Sequence, residues 1–370
     1  MVGRSVGVLA AIGLLAAPAS AQSIRVRVVT EAGPPAAGAI VKLLDRSSTV
    51  IRSGLSDENG RVTLRAPRGG GYRIRADRIG FRGVQSESVT IPDTGTVTLE
   101  LRMPDEPVVL AELAVTGTTR CQRDPTRAPA TAALWTEIRK ALDATAITRQ
   151  SGLTFTMAVW RRALDSARAV TTESVDTTRT RAPRPFRAVG LDLLVERGYL
   201  STGEDGIWTV FGPDEEVLLS SQFLATHCFG IATREIGGRA EVGLRFQPAP
   251  GRTVPDIAGA LWVTRDGLQL QTVEFEYVNL PEGLPQSGLN GRVEFARVPQ
   301  GWWIVDRWWI RSPRVEEFRV HPGVLENVPL HRRQVVRGYL EDGGEVLAIE
   351  GLPRIRLGQT ARPMAIGGRD

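Results

Sequence analysis

The stretch that decides the fold of the front of the chain runs Asp57-Glu58-Asn59-Gly60-Arg61-Val62-Thr63-Leu64, then Gly71-Tyr72-Arg73-Ile74-Arg75-Ala76, and ends at Gly80-Phe81. Asp57, Asn59 and Gly60 favour a turn, because Asn and Gly accept positive φ at little cost. Val62 and Leu64 alternate with polar neighbours, as in a strand with one buried face. The same alternation returns after a run of glycines. Two strands joined by a tight glycine turn predict a small antiparallel β module.

Short alternating segments surround this stretch and extend the pattern over residues 22–104. There are about seven of them, with turns every roughly 8–12 residues, which is the spacing of a β-sandwich. We expect these strands at Ile24–Thr30, Ala39–Leu44, Ser53–Leu55, Val62–Arg65, Tyr72–Ala76, Ser86–Ile91 and Thr96–Leu101. The prediction for residues 22–104 is therefore a small domain made of two packed sheets.

This segment resembles the carboxypeptidase regulatory-like domain. The resemblance rests on Asp57-x-Asn59-Gly60-x-Val62, on Gly71-Tyr72-x-Ile74-x-Ala76 and on the Gly80-Phe81 that follows. It implies a seven-strand sandwich of the transthyretin-like or immunoglobulin-like type. It also implies an accessory role, since the family's modules are appended to peptidases, outer-membrane receptors and other envelope proteins. The wider fold group includes carbohydrate-binding modules, so the resemblance implies sugar binding as one option.

The first residues are typical of an export signal. Arg4 is followed by an apolar run from Val6 to Ala17 and by the small residues Ala19-Ser20-Ala21. We predict a signal peptide over residues 1–21; an uncleaved anchor is the alternative. The expected location is the periplasm or the outer membrane's surface, or outside the cell.

Composition and charge indicate which classes of partner to expect. The chain has 370 residues, of which 42% are hydrophobic and 24% charged, as expected for a globular protein with a core. Its net charge of +5 comes from Arg, because Lys occurs only at Lys42 and Lys140. The arginines are dispersed, whereas a nucleic-acid binder would carry a basic patch interleaved with aromatics. We therefore expect no nucleic-acid partner.

The two cysteines, Cys121 and Cys228, make up the whole cysteine content. Export leads to compartments that permit oxidation, so a disulfide between them is predicted. It would join the segment that follows the first domain to the middle of the second. Two free buried thiols are the alternative.

The remaining chain divides into a linker that contains a strand (residues 105–130), a second domain (131–351) and a flexible tail (352–370). Within the linker, residues 108–117 look like the segment that precedes the plug of TonB-dependent receptors, and we expect a strand at Val108–Thr116. The second domain begins with a helix over Thr131–Ala146, capped by Thr131, and a shorter helix is expected over Asp214–Leu219.

The rest of the second domain is expected to form strands, apart from a polar loop at Thr177–Pro185. Arg265-Asp266-Gly267 predicts a hairpin turn, and a bulge near Gln271-Thr272 would reconcile the two parities of the strand that follows. The fold class is thus mainly β: a sandwich, then a curved antiparallel sheet with one or two helices. The second domain is similar to half-barrel envelope proteins that carry lipoproteins or lipids, chiefly through residues 259–267.

Linear motifs for catalysis are absent from the sequence. None of His227, His321 and His331 has a Glu three residues on, so the carboxypeptidase zinc pattern is missing. Beyond the predicted signal peptide there is no Gly-x-Ser-x-Gly elbow, and the sequence has no dinucleotide fingerprint. We predict no catalytic residue, metal or cofactor. A hydrolase whose site is not visible in linear motifs and a small outer-membrane barrel remain as alternatives.

The unusual feature is the strand Trp302-Trp303-Ile304-Val305-Asp306-Arg307-Trp308-Trp309-Ile310. Simple alternation groups Trp302, Ile304, Trp308 and Ile310 on one face, and Trp303, Val305 and Trp309 on the other. Indoles can stack on sugars or pack acyl chains, and core packing is the alternative. The candidate ligand-binding residues are Trp302, Trp303, Trp308, Trp309, Phe275 and Tyr277. The function expected is a non-catalytic envelope protein that binds a lipid, glycan or protein partner and can associate peripherally with a membrane.

Overall fold

The computed structural model of the chain describes residues 22–108, 121–181, 183–186, 189–203, 208–320 and 331–352. The predicted signal peptide, the predicted strand beyond Val108, His321 and the predicted tail beyond Leu352 lie outside these residues. What is described is mainly β, as predicted.

The front of the chain is a sandwich of short strands. They are β1 Ser23–Thr30, β2 Ile40–Leu44, β3 Val50–Leu55, β4 Arg61–Arg65, β5 Gly70–Arg78, β6 Phe81–Gln85, β7 Val89–Ile91 and β8 Thr96–Met103. One sheet has the order β4-β1-β8, and the other has the order β3-β2-β5-β6 with β7 on β5. Apolar residues from both sheets, such as Val26, Val41 and Ile74, are fully buried between them. The sandwich prediction is confirmed, with eight strands in place of about seven.

The turn that opens the quoted stretch links the two sheets. Asp57 Oδ1 accepts hydrogen bonds from the backbone N–H groups of Asn59 (2.9 Å) and Arg61 (2.8 Å). Gly60 has a φ of +72°, and a Cβ there would collide with the carbonyl of Val28. The glycine is therefore required by a close backbone approach to β1. The strand pair inferred from the sequence is different, because β4 and β5 lie in separate sheets and the glycine run crosses between them.

The later part of the quoted stretch also has structural roles. Tyr72 is buried, and its hydroxyl donates to the carbonyl of Arg68 at 3.0 Å. Gly71, beside it, belongs to β5 and pairs with Thr90 of β7. Phe81 lies under the guanidinium of Arg78, at 4.6 Å from Cζ to the ring centre.

The second part of the chain is built on one large open sheet. Its elements are α1 Pro129–Gln150, β9 Phe155–Leu164, β10 Val170–Thr180, α2 Leu191–Arg197, β11 Leu200–Thr202, β12 Trp208–Val210, α3 Glu215–Leu219, α4 Ser221–Thr226, β13 His227–Ile236, β14 Arg239–Pro248, β15 Asp256–Thr264, β16 Leu270–Val278, β17 Asn290–Arg297, β18 Trp303–Val320 and β19 His331–Ile349. The nine-stranded sheet has the order β10-β9-β19-β18-β17-β16-β15-β14-β13, and its described pairs are all antiparallel. Strands β11 and β12 form a separate pair.

Helix α1 covers one face of this sheet. Leu134, Ile138 and Leu142 are fully buried in the core that the helix shares with the strands. The helix begins at Pro129, and its N-cap is Ala128. The predicted cap, Thr131, instead lies inside the first turn and donates to the carbonyl of Ala128 at 3.0 Å. A proline in the first turn sets the helical φ, so no side-chain cap is needed there.

Two other local predictions have different outcomes. The helix expected over Asp214–Leu219 is present as α3, with Asp214 accepting from the N–H of Val217 at 3.0 Å. The polar loop expected from Thr177 is wrong at its start, because β10 continues to Thr180 and pairs with β9. Its threonines are β-branched and suit an edge strand, even though every residue before Thr180 is exposed.

A buried ion pair joins α1 to the sandwich. Glu137 and Lys140 are 1% and 7% exposed, and Lys140 Nζ lies 2.7 Å from Glu137 Oε1. The other carboxylate oxygen, Oε2, accepts from the N–H of Gly80 at 2.7 Å. Lys140 also donates to the carbonyls of Arg78 (3.1 Å) and Phe81 (2.9 Å). The Gly80-Phe81 pair of the quoted stretch is therefore held by the helix of the second part.

Candidate functional site

A bulge in β18 rearranges the tryptophan strand. Glu294 of β17 pairs with Arg307 and Phe295 pairs with Val305, so Asp306 has no cross-strand partner. An extra residue of this kind reverses the alternation beyond it. The predicted two-face grouping is consequently wrong: Trp308 packs against the same core as Trp303.

The predicted ligand-binding residues are mostly not brought together. Phe275 and Tyr277 are 3% and 2% exposed and lie in the main core, where the Tyr277 hydroxyl donates to the carbonyl of Phe211 at 2.8 Å. Trp302 packs with Ile304 in a separate small cluster. Of the predicted tryptophans, Trp309 alone lines the groove on the open face of the sheet, and Phe275 also belongs to its lining.

This groove lies on the sheet face opposite the core and has a volume of about 510 Å³. Two neighbouring rows of residues run across the strands beneath it. One row is Arg245, Ala260, Glu274, Arg292 and Trp309; the other is Gln247, Ala258, Glu276 and Asn290. The two alanines of β15 give the groove its low floor. Arg245 and Gln247 stand on one side of it, and Glu274 and Glu276 on the other.

Two indole rings belong to the lining of the groove. Trp262 follows Ala260 on the same face of β15, and Trp309 lies on β18, three strand spacings or about 14 Å away across the sheet. The ring of Trp262 lies against Gly243 of the neighbouring strand, where a Cβ would fall 2.7 Å from it. The guanidinium of Arg234 also stacks on this ring, with Cζ 3.9 Å from the ring centre. Trp309 is likewise partnered by Arg311, at 4.5 Å.

Ion pairs fix part of the groove wall. The carboxylate of Glu274 pairs with two arginines: Oε2 lies 2.6 Å from Arg234 Nη1, and Oε1 lies 2.9 Å from Arg292 Nη1. Arg234 is held in turn by Glu241 at 2.7 Å. Both carboxylate oxygens of Glu274 therefore accept hydrogen bonds from flanking guanidiniums. Arg245 and Glu276 are exposed and form no ion pair within the described part of the chain, so their polar atoms are available to a ligand.

A second cluster of titratable residues lies at the start of β13. His227 and Asp256 are fully buried, with Nε2 3.2 Å from Oδ1, and Arg252 contacts the other oxygen of Asp256. His227 Nδ1 lies 3.0 Å from the carbonyl of Phe223. The hydroxyl of Ser220 caps α4, and that of Thr226 lies 3.1 Å from Nδ1 and is within hydrogen-bond distance of the carbonyl of Gln222. Nδ1 thus has protein partners, whereas Nε2 lies beside the carboxylate without forming a hydrogen bond. The complete burial of the ring favours a structural role.

Cys121 and Cys228 form the predicted disulfide, with their Cα atoms 5.0 Å apart. It ties the segment before α1 to β13. Over the described ranges there is no group of three or more His, Cys, Asp or Glu side chains that could hold a metal ion. Over the same ranges no helix is both long and apolar enough to cross a membrane.

The groove residues were missed in the sequence because they come from five strands and meet only through the register. A signal was present in β16, where Glu274 and Glu276 alternate with Val273, Phe275 and Tyr277. The sequence analysis predicts ligand binding by Phe275 and Tyr277, whereas both side chains lie in the core. The polar members define the open face.

Comparisons with known proteins give one family and several distant structures. No curated protein matches the chain. A protein of the DUF1329 family from Desulfovibrio piger is 10% identical, over 58% of this chain and 95% of that one, with a TM-score of 0.26. A Streptococcal ancillary pilin is 13% identical, over 54% and 61% of the two chains, with a TM-score of 0.20. The shaft pilin SpaA of Lactobacillus rhamnosus GG is 9% identical, over 74% and 93%, with a TM-score of 0.21.

Such low scores carry no inference about function. The family match is specific to the front of the chain, where residues 23–104 match the carboxypeptidase regulatory-like domain. That range coincides with the sandwich from β1 to β8. Residues 23–104 of this protein are therefore a carboxypeptidase regulatory-like domain, followed by a nine-stranded antiparallel sheet.

Proposed function

We propose that this protein is a non-catalytic component of the cell envelope that binds a glycan in the groove on the open face of its large sheet. The regulatory-like sandwich acts as an accessory module. The observation that carries the proposal is the alanine floor between two polar walls, in a groove whose lining also includes two indoles.

The chemistry of the walls favours a sugar over an acyl chain. An acyl chain would require apolar walls, but here Arg245 and Gln247 face Glu274 and Glu276. Vicinal hydroxyl groups can pair with guanidinium, carboxylate and amide groups of this kind. An arginine already stacks on each indole, so we expect the rings to contact a ligand at their edges.

The predicted export signal and the disulfide support a location outside the cytoplasm, because disulfides persist in oxidising compartments. We infer residence in the periplasm, at the outer membrane, or beyond the cell. Sugars of the envelope are available in each of these places.

A glycan array carrying neutral, amino-sugar and acidic oligosaccharides tests the proposal, followed by calorimetric titration of the best binder. Ala258→Trp would fill the half-buried floor and should weaken binding at least tenfold. Thr177→Trp is the matched control, since it adds the same indole to an exposed strand of the same sheet. Retention of no glycan, or equal binding by A258W and T177W, would contradict the proposal. Release of new reducing ends during the titration would instead favour the hydrolase alternative.

A further inference from the structure

A second cavity lies between the sandwich and the large sheet. Its volume is about 230 Å³, and it is lined by Gly38, Arg78, Ile79 and Phe81 from the sandwich and by Gly267, Gln269, Arg297 and Trp303 from the second part. It is remote from the glycan groove, with which it shares no lining residue. Any ligand here would contact both parts of the protein.

Two close backbone approaches frame this cavity. A Cβ on Gly38 would lie 2.9 Å from the Cα of Gly301, and a Cβ on Gly80 would lie 2.7 Å from the carbonyl oxygen of Gly267. Both Gly38 and Gly80 have positive φ, at +72° and +81°. The two parts therefore meet backbone to backbone, and the space between them is fixed by the fold.

The cavity is electropositive. Its lining includes two arginines and no acidic residue. Arg78 is half-buried and stacks on Phe81, and Arg297 donates to the carbonyl of Ala37 at 2.9 Å. Neither forms an ion pair within the described residues. Arg297 reaches solvent, yet local burial and then the like charge of Arg78 lower its pKa, and burial lowers the pKa of Arg78.

The charge of Asp105, which is outside the lining, partly offsets that of Arg78. Two guanidiniums that share a partly desolvated space with no carboxylate in its lining are still a poor arrangement unless an anion joins them. Guanidinium forks match the oxygens of phosphate, and their bonds to it are charge-assisted. The apolar walls of Ile79, Phe81 and Trp303 leave room beside the anion for a small organic group.

We propose that Arg78 and Arg297 together bind one phosphate-class oxyanion between the sandwich and the large sheet. The bound anion neutralises both guanidiniums and adds a bridge between the two parts. The chemistry is the same for free phosphate and for a phosphorylated headgroup. This site stands independently of the proposed glycan groove.

Line broadening in the ³¹P NMR spectrum of inorganic phosphate tests the proposal with the full chain, at constant ionic strength maintained with chloride. Wild type should broaden the signal, and Arg78→Gln and Arg297→Gln should each weaken binding at least tenfold. Arg52→Gln is the matched control, because Arg52 is exposed and, among the described residues, donates only to the adjacent carbonyl of Ile51. Equal broadening by all four proteins would overturn the proposal.

R297Q keeps the test decisive if R78Q does not fold, since Arg297 makes a single hydrogen bond to a backbone carbonyl. Flotation with vesicles that contain phosphatidylglycerol distinguishes the sources. Flotation of wild type and R52Q, but not R297Q, would assign the site to a headgroup. Broadening without flotation would assign it to a free anion. If the wild type shows neither line broadening nor flotation, the proposed site is refuted.

Discussion

Glu137→Gln tests the buried contact between α1 and the regulatory-like sandwich. The substitution preserves the shape of the side chain and an acceptor for the N–H of Gly80, but it removes the charge opposite Lys140. Removing one member of a buried ion pair costs about 3 to 5 kcal/mol. Because Lys140 keeps its bonds to two backbone carbonyls, we expect the lower end, about 3 kcal/mol of unfolding free energy.

Urea unfolding followed by tryptophan fluorescence measures this loss. All eight tryptophans lie at position 135 or later, so the signal reports on the part that contains α1. Lys42→Met is the matched control, since the Lys42–Asp143 pair has the same 2.7 Å separation but side chains that are 19% and 22% exposed. A pair with this exposure is worth about 1 kcal/mol.

A double-mutant cycle with Lys140→Met isolates the pair itself. Once both charges are gone, no uncompensated charge remains buried. The loss of unfolding free energy in the double variant should therefore be smaller than the sum of the losses in the two single variants, by at least about 1 kcal/mol. A loss below about 1 kcal/mol in E137Q, or additive losses in the cycle, would refute the reasoning.

Three further expectations concern the covalent link, a turn and a buried acid. Replacing both Cys121 and Cys228 by Ser should lower the unfolding free energy by about 4 kcal/mol, because the bond closes a separation of 107 residues; unchanged urea midpoints would exclude this. Gly60→Ala should destabilise the sandwich by at least about 1 kcal/mol more than Gly33→Ala in thermal unfolding followed by circular dichroism, since both have positive φ but only Gly60 meets a backbone carbonyl. Burial, then the neighbouring Glu294 and Glu345, raises the pKa of Asp306 from 3.8 to about 7. An acid with a raised pKa in the folded state binds its proton more tightly there than in the unfolded state, so its contribution to stability is lost as pH rises from about 4 to about 7. Asp306→Asn should therefore flatten the plot of unfolding free energy against pH over this range. An unchanged slope would contradict the prediction.

The sandwich could be predicted from sequence because its information is local. Asp57, Asn59 and Gly60 specify a turn through bonds within five residues, and single strands show their buried face by alternation. The bulge at Gln271 was predictable for the same reason, since the apolar parity changes within one strand, and the structure places Trp262 opposite Thr272 and Val263 opposite Leu270.

The candidate site could not be predicted in the same way. The bulge at Asp306 does not show in the alternation of apolar and polar residues, because both faces of β18 carry apolar residues in this stretch. The groove depends on the register of five strands, which the hydrophobic pattern of any one strand does not specify. The short helices α2 and α4 have seven and six residues, too few for a helical period to emerge.

The donor geometry around Lys140 explains why the double-mutant cycle uses Lys140→Met and not Lys140→Arg. Among 46 basic residues, Lys occurs only at positions 42 and 140, and both contact the surfaces where α1 meets the sandwich. Lys140 points one ammonium at three acceptors: Glu137 Oε1 and the carbonyls of Arg78 and Phe81. A compact ammonium can direct its donors this way, whereas the planar fork of Arg is larger and holds its donors in one plane. Arg at this position would keep the charge but lose the geometry, so the interface requires Lys in a chain that otherwise uses Arg.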